Sequence, residues 1–146
     1  MNGSNRRWQR GFTLIEIMVV VVILGLLAAI VVTQTVGKVD DARVAKAKQD
    51  IRQYETALTM YKLDNFRFPT SEQGLDALAH KPADPTLVHW RDEGYVKRVS
   101  KDPWGHDYVY ESPGTHGEVD IYSLGADGQP GGEKANADIG NWNLEE

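Results

Sequence analysis

The chain opens on a short polar stretch and then becomes uniformly apolar. Residues 12–32, FTLIEIMVVVVILGLLAAIVV, carry a single charge, Glu16. A helix of that length spans about 31 Å, close to the hydrocarbon thickness of a bilayer. Beyond residue 32 the pattern turns amphipathic. Val44, Ala47, Ile51, Tyr54, Leu58 and Tyr61 recur at alternating steps of three and four, one stripe of a helix, and Lys46, Lys48, Gln49, Asp50, Arg52, Gln53 and Glu55 fill the other positions. Together the two patterns predict one nearly continuous helix over residues 12–64, about 80 Å long, whose second half lays its stripe on the chain's own domain.

The pattern breaks at Phe66-Arg67-Phe68-Pro69, since proline cannot continue a helical hydrogen-bond ladder. Thr70-Ser71-Glu72-Gln73 fits a capping box and predicts a short second helix over residues 71–80. Lys81-Pro82-Ala83-Asp84-Pro85 reads as a connector. Residues 107–111 and 118–123 alternate in strand fashion, and the polar, glycine-containing stretch 112–117 makes them a hairpin with a long turn. Trp90, Tyr95, Trp104 and Tyr108 supply bulk for a small core between sheet and helix. The fold class is therefore α+β: a long N-terminal helix packed on a small antiparallel sheet.

Composition sharpens this picture. With 146 residues the chain has room for one small domain and an appendage, and the mean hydropathy of −0.44 averages over two very different halves. The absence of cysteine excludes disulfides, a thiol nucleophile and Cys-ligated metal. A net charge of −5 argues against nucleic acid as a partner. Arg6, Arg7 and Arg10 precede the apolar run and no comparable cluster follows it directly, which puts the N-terminus in the cytoplasm and the rest of the chain across the membrane. A cleavable secretory signal would have a shorter apolar core and an A-x-A-like site after it.

Glu16 is the anomaly. A carboxylate inside a spanning helix costs about 2.5–3.5 kcal/mol on insertion scales. Near the cytoplasmic end it can reach the headgroups or sit protonated. Alternatively it pairs with a cation at the same depth. The run itself supplies none, but a cut between Gly11 and Phe12 would create an α-amine there.

The residues Arg10-Gly11-Phe12-Thr13-Leu14-Ile15-Glu16 resemble the class III leader of type IV pilins and type II secretion pseudopilins. The resemblance implies removal of residues 1–11 by a prepilin peptidase, with cleavage after Gly11, and N-methylation of Phe12. The apolar helix stays on the protein, and Glu16 matches the carboxylate that pairs with the N-terminal amine of a neighbouring subunit. Two opposite charges in a poor dielectric attract strongly, and each relieves the other's desolvation. Gly25 matches a position near which the family's helix loosens in filaments. Thr33 stands where the family commonly has proline.

The tail, residues 124–142, is glycine-rich and acidic at both ends. On the residues alone it reads either as an Asp-Gly turn with a mobile end or as a loop ordered by a hard cation, which takes six to eight oxygens from carboxylates and carbonyls. Asp102-Pro103-Trp104-Gly105, Asp120-Ile121-Tyr122-Ser123-Leu124-Gly125-Ala126-Asp127-Gly128 and Ala137-Asp138-Ile139-Gly140-Asn141-Trp142 are similar to the G-type, or major, pseudopilins of type II secretion systems, and the similarity covers essentially the whole chain. It implies a structural Ca²⁺ held by the side chains of Asp127 and Asp138 and by backbone oxygens of Leu124 and Ala135, doing the work of a disulfide.

It also implies a type IV pilin-like organisation: leader 1–11, transmembrane and assembly helix 12–32, amphipathic stem 33–65, and periplasmic domain 66–146. Such a subunit sits single-pass in the bacterial inner membrane, in contact with lipid. It polymerises with itself and with minor pseudopilins on an inner-membrane assembly platform, and the periplasmic pseudopilus so formed drives export of folded exoproteins. His80, His89, His106 and His116 lack zinc-site spacing and read as lone surface histidines; no nucleotide or catalytic motif is present. The chain is expected not to be an enzyme. Two other readings remain: a type IV pilin for adhesion, motility or DNA uptake, and a membrane-tethered periplasmic enzyme, which would leave the Gly11-Phe12 junction and Glu16 without a purpose.

Overall fold

The computed structural model describes residues 12–145, without the side chains of 29–36, so Gly11 lies outside the described residues and the side chain of Thr33 with it. The order of elements is α1 (Leu14–Asn65), a 3₁₀ turn (Leu75–Leu78), β1 (Val109–Glu111), β2 (Asp120–Ser123), a second 3₁₀ turn (Lys134–Asn136) and β3 (Ile139–Gly140). The chain forms two compact units, one ending at Lys38 and the other comprising Val39–Glu146.

In the first unit α1 begins where Thr13 caps it. The Glu16 amide donates to Thr13 Oγ1 at 3.3 Å, and the amides of Glu16 and Ile17 to its carbonyl. The helix continues through Gly25 and Thr33 without interruption. Every described side chain from residue 12 to 28 is exposed. Among the described residues no helix is long and apolar enough to cross a membrane; the apolar run is described to its side chains only as far as residue 28.

In the second unit the stripe does what its spacing requires. Ala47, Ile51, Tyr54, Leu58 and Tyr61 are all buried, with Val44 half-buried at the edge. Fully burying an Ile or Leu side chain contributes about 1.5–3 kcal/mol, so this face holds the helix to the domain more firmly than helix propensity does. Asp50, assigned by pattern to the solvated face, is instead buried: its carboxylate accepts from Tyr108 Oη at 3.1 Å and pairs with Lys46. Burial, then the Asp50 carboxylate beside it, pushes the Tyr108 phenol far up.

Helix α1 ends at Asn65, earlier than Pro69 demands. Phe66 adopts a left-handed φ of 61°, its amide donates to the Lys62 carbonyl at 2.7 Å, and Asn65 Nδ2 donates to that of Tyr61. The helix expected over residues 71–80 does not form as such. Its capping box does: the Thr70 amide donates to Gln73 Oε1 at 3.0 Å and the Gln73 amide to Thr70 Oγ1 at 3.2 Å. Gly74 then turns to φ 60°, which no α-helix tolerates, and only the 3₁₀ turn follows.

The expected hairpin is present, with β1 and β2 antiparallel and Val109 facing Tyr122, Tyr110 facing Ile121 and Glu111 facing Asp120. A third strand, not expected, pairs with β2 through Tyr122↔Gly140 and Ser123↔Ile139, giving the order β1-β2-β3. The C-terminal loop therefore ends at residue 138, and Ile139 returns the chain to the core at 4% exposure. Tyrosines dominate that core. Tyr54 meets Tyr108 edge-on at 5.5 Å, and Tyr61 lies 5.2 Å from Tyr95. Trp90, Tyr95 and Trp104 are only half-buried around its rim.

The hairpin turn is tied by Asp120, 1% exposed, whose carboxylate accepts from the amides of Thr115 (2.7 Å) and His116 (2.9 Å) and meets His116 Nδ1 at 2.9 Å. Burial works against ionisation, but the His116 amide and ring and the Thr115 amide outweigh it and hold the carboxyl below its ordinary value. A carboxylate with a lowered folded pKa stabilises the fold above its unfolded pKa of about 3.9, and that stability is lost as pH falls through the lowered value. Asp120→Asn is expected to flatten the acid limb of the stability–pH profile and to cost about 2 kcal/mol at neutral pH. Chemical denaturation from pH 2 to 7 checks both; an unchanged acid limb would count against Asp120 as its source.

Candidate functional site

Two places in the sequence were singled out, the start of α1 and the C-terminal loop. At the first, Phe12 and Glu16 lie on either side of the Thr13 cap, and both are exposed. The carboxylate of Glu16 stands in the first turn of the helix, where the positive end of the macrodipole favours an anion. The next charged residue along the chain is Lys38. Around Glu16 lie Leu14, Ile15, Ile17, Met18 and Val19, each at least half exposed. A continuous exposed apolar surface of this kind is the sort that marks a protein or membrane contact.

The loop leaves β2 at Ser123 and is folded back on itself. The Ala126 amide donates to the Ala135 carbonyl at 2.8 Å, joining its two arms. Gly125 makes this approach possible. It sits at φ 67°, and a Cβ there would lie 2.8 Å from the Ala135 carbonyl oxygen and 2.9 Å from that of Ala137. Asp138 closes the far end: its Oδ2 accepts from the Gly131 amide at 2.9 Å, while its Oδ1 is buried without a hydrogen-bond partner. Leu124 and Asp138 line one cavity of about 290 Å³, with Pro130 and Trp142 among its walls.

Of the four candidate metal residues, the structure thus places Leu124 and Asp138 on one cavity and ties the Ala135 carbonyl to the opposite arm. Asp127 is exposed and not among the residues lining that cavity; its Oδ1 accepts from the Gln129 amide at 3.1 Å. Among the described residues no group of three or more His, Asp or Glu side chains is placed to hold a metal ion. A set of two carboxylates and backbone carbonyls does not require one. The orphaned, buried Asp138 Oδ1 is what such a set would leave behind, because a buried carboxylate oxygen without a donor is costly.

Three of the four histidines have polar partners: the exposed His80 Nδ1 lies 2.8 Å from Asp76 Oδ1, and two others are built into the domain. His116 stacks on Trp142, ring centroids 3.8 Å apart, and is fixed by Asp120. Gly140 leaves room for that tryptophan, since a Cβ there would lie 2.5 Å from its ring. His106 reaches the loop itself, its Nδ1 lying 3.2 Å from the Gly125 carbonyl. The signal for both was an aspartate four residues away, Asp120 and Asp102, each able to gather nearby backbone amides as aspartates in turns do.

Residues 34–142 match the protein family described as "Type II secretion system (T2SS), protein G", and residues 8–32 match the "Prokaryotic N-terminal methylation motif". The chain is 56% identical over 140 residues to the type II secretion system core protein G of Vibrio cholerae, covering 96% of each. It is 57% identical over 138 residues to that of Pseudomonas aeruginosa, covering 94% of this chain and 97% of that protein. The crystal structure of the major pseudopilin from the type 2 secretion system of enterohaemorrhagic Escherichia coli is similar in fold, with a TM-score of 0.64 and 45% identity. That match covers 73% of this chain and 92% of the other.

Proposed function

Because the chain belongs to the type II secretion system protein G family, we propose that it is the major subunit of a periplasmic pseudopilus that drives export of folded exoproteins. It is a structural protein and not an enzyme. The observation that carries the reading is the match along nearly the whole chain, from the N-terminal motif at residues 8–32 through the loop. The type IV pilin alternative has no corresponding support.

The finer parts of the proposal follow from the residues. Prepilin peptidase cuts after Gly11, Phe12 is N-methylated, and residues 12–32 anchor the subunit single-pass in the inner membrane with its domain in the periplasm. The exposed apolar side chains of residues 12–28 support this anchor. When subunits leave the bilayer, the same surface packs against identical helices, and Glu16 pairs with a neighbour's Phe12 amine. The assembly platform and minor pseudopilins are the remaining partners.

Calcium is the proposed cofactor, with Asp127, Asp138 and the carbonyls of Leu124 and Ala135 as its ligands. A hard divalent cation would supply the charge that the Asp138 Oδ1 lacks.

Deleting the gene and measuring secreted hydrolases and twitching motility separately tests the function. Secretion is expected to fall to background with motility intact. The opposite result overturns the assignment.

A further inference from the structure

Asp102 is a buried carboxylate in the turn before β1, its side chain fully out of solvent. A buried anion needs donors on both oxygens. Oδ1 accepts from the amides of Trp104 (3.0 Å) and His106 (2.8 Å), and Oδ2 from Ser123 Oγ at 2.6 Å. This last contact fixes the polarity of Ser123. With its proton committed to the carboxylate, the Ser123 hydroxyl presents lone pairs, and the Gly125 amide donates to it at 3.1 Å.

The other side of Gly125 is held from the same turn. The His106 amide is on Asp102, and the His106 ring reaches the Gly125 carbonyl through Nδ1 at 3.2 Å. The ring also lies against Gly128, where a Cβ would be 3.2 Å from it. Gly125 is therefore gripped at both its N–H and its C=O by groups that trace back to one carboxylate.

In a trans peptide the C=O and N–H point in opposite directions. Fixing the Gly125 N–H toward Ser123 consequently turns the Leu124 carbonyl away from Ser123 and Asp102. Fixing Gly125 also sets the following residue, Ala126, whose amide holds the Ala135 carbonyl. The geometry points to Asp102, acting through Ser123 and His106, as the relay that orients the Leu124 and Ala135 carbonyls for a cation. Ser123 and His106 are positioning residues; neither is a ligand. The inference rests on the proposed calcium site and explains how two of its backbone ligands are set in advance.

The test uses the full chain in detergent micelles, stripped with EGTA and titrated with CaCl₂ by calorimetry. Ser123→Ala removes the acceptor for the Gly125 amide, and calcium binding is expected to weaken about tenfold. Ser123 is buried, so His106→Ala and His106→Gln at the half-exposed position serve as the second pair. His106→Ala is expected to weaken binding about fivefold, and His106→Gln, whose side-chain amide can donate to the same carbonyl, to recover most of it. Metal-free thermal midpoints of the two His106 variants are expected to stay within a few degrees of the parent. Calcium dissociation constants equal to the parent's in all variants, or lower metal-free midpoints with unchanged calcium affinity, overturn the relay and leave the calcium site standing. A parent chain that takes up no calcium overturns both.

Discussion

Glu16→Ala is expected to leave membrane insertion and leader cleavage intact while abolishing filaments and secretion. The apolar run of residues 12–32 loses nothing it needs for insertion; it loses its only charge and becomes more apolar. Assembly is different. In the proposed contact the Glu16 carboxylate and a neighbour's Phe12 amine enter an apolar bundle together. Removing one partner of a buried pair leaves the other charge uncompensated and costs about 3–5 kcal/mol. In a polymer that cost recurs at every subunit added. At about 1.4 kcal/mol per tenfold, the concentration needed to sustain growth rises by more than about 100-fold. Electron microscopy of sheared filaments, with immunoblots for processed subunit, separates the two steps. Glu16→Gln keeps the shape and should fail as well, which assigns the effect to charge. Normal filament yield from either variant would count against the pairing.

The fold shows what a sequence can and cannot carry. Glu16 stands out because a single charge in an apolar run is costly wherever the run ends up. The stripe from Ala47 to Tyr61 was legible for a related reason: its spacing permits only one face to be buried. Elements whose formation depends on a distant partner were not. Ile139 and Gly140 have no strand signature of their own and become β3 only because β2 offers an edge. The capping box at Thr70 and Gln73 was read correctly, yet Gly74 turned the chain before a helix could grow. The end of α1 was legible to within a residue, 64 expected and Asn65 found, but not its means, since Phe66 is a poor residue for the left-handed turn it makes.

The loop was half legible. Its acidic residues suggested a cation, but the sequence could not reveal which of them face inward. Asp138 does, and Asp127 lies exposed on the turn. The buried aspartates that organise the surroundings, Asp102 and Asp120, carried no role of their own in the sequence pattern. Aspartate gathers backbone amides only once the chain has turned around it, as Asp120 does with Thr115 and His116.

Removing calcium is accordingly expected to produce the second large effect, a fall in thermal midpoint of roughly 10 °C. A ligand that binds only the folded state stabilises it by about 2.7 kcal/mol at 100 times its dissociation constant, and each kcal/mol moves the midpoint of a domain near 100 residues by about 4 °C or more. Without the cation Asp138 Oδ1 is a buried anion with no donor, and four glycines between Gly125 and Gly132 at positive φ give the loop many ways to relax. The loss should therefore be local first. By hydrogen exchange, the amides of Ala126 and Gly131, held by Ala135 and Asp138, are expected to lose protection when EGTA is added. Those of Ile51 and Leu58, in the buried face of α1, should keep theirs until global unfolding. β3 follows the loop directly, so its pairing of Ile139 with Ser123 is the route by which a frayed loop reaches the core. A melting curve unchanged by excess chelator, with full protection at Ala126, would mean that the hydrogen bonds already present hold the loop and that no cation is required.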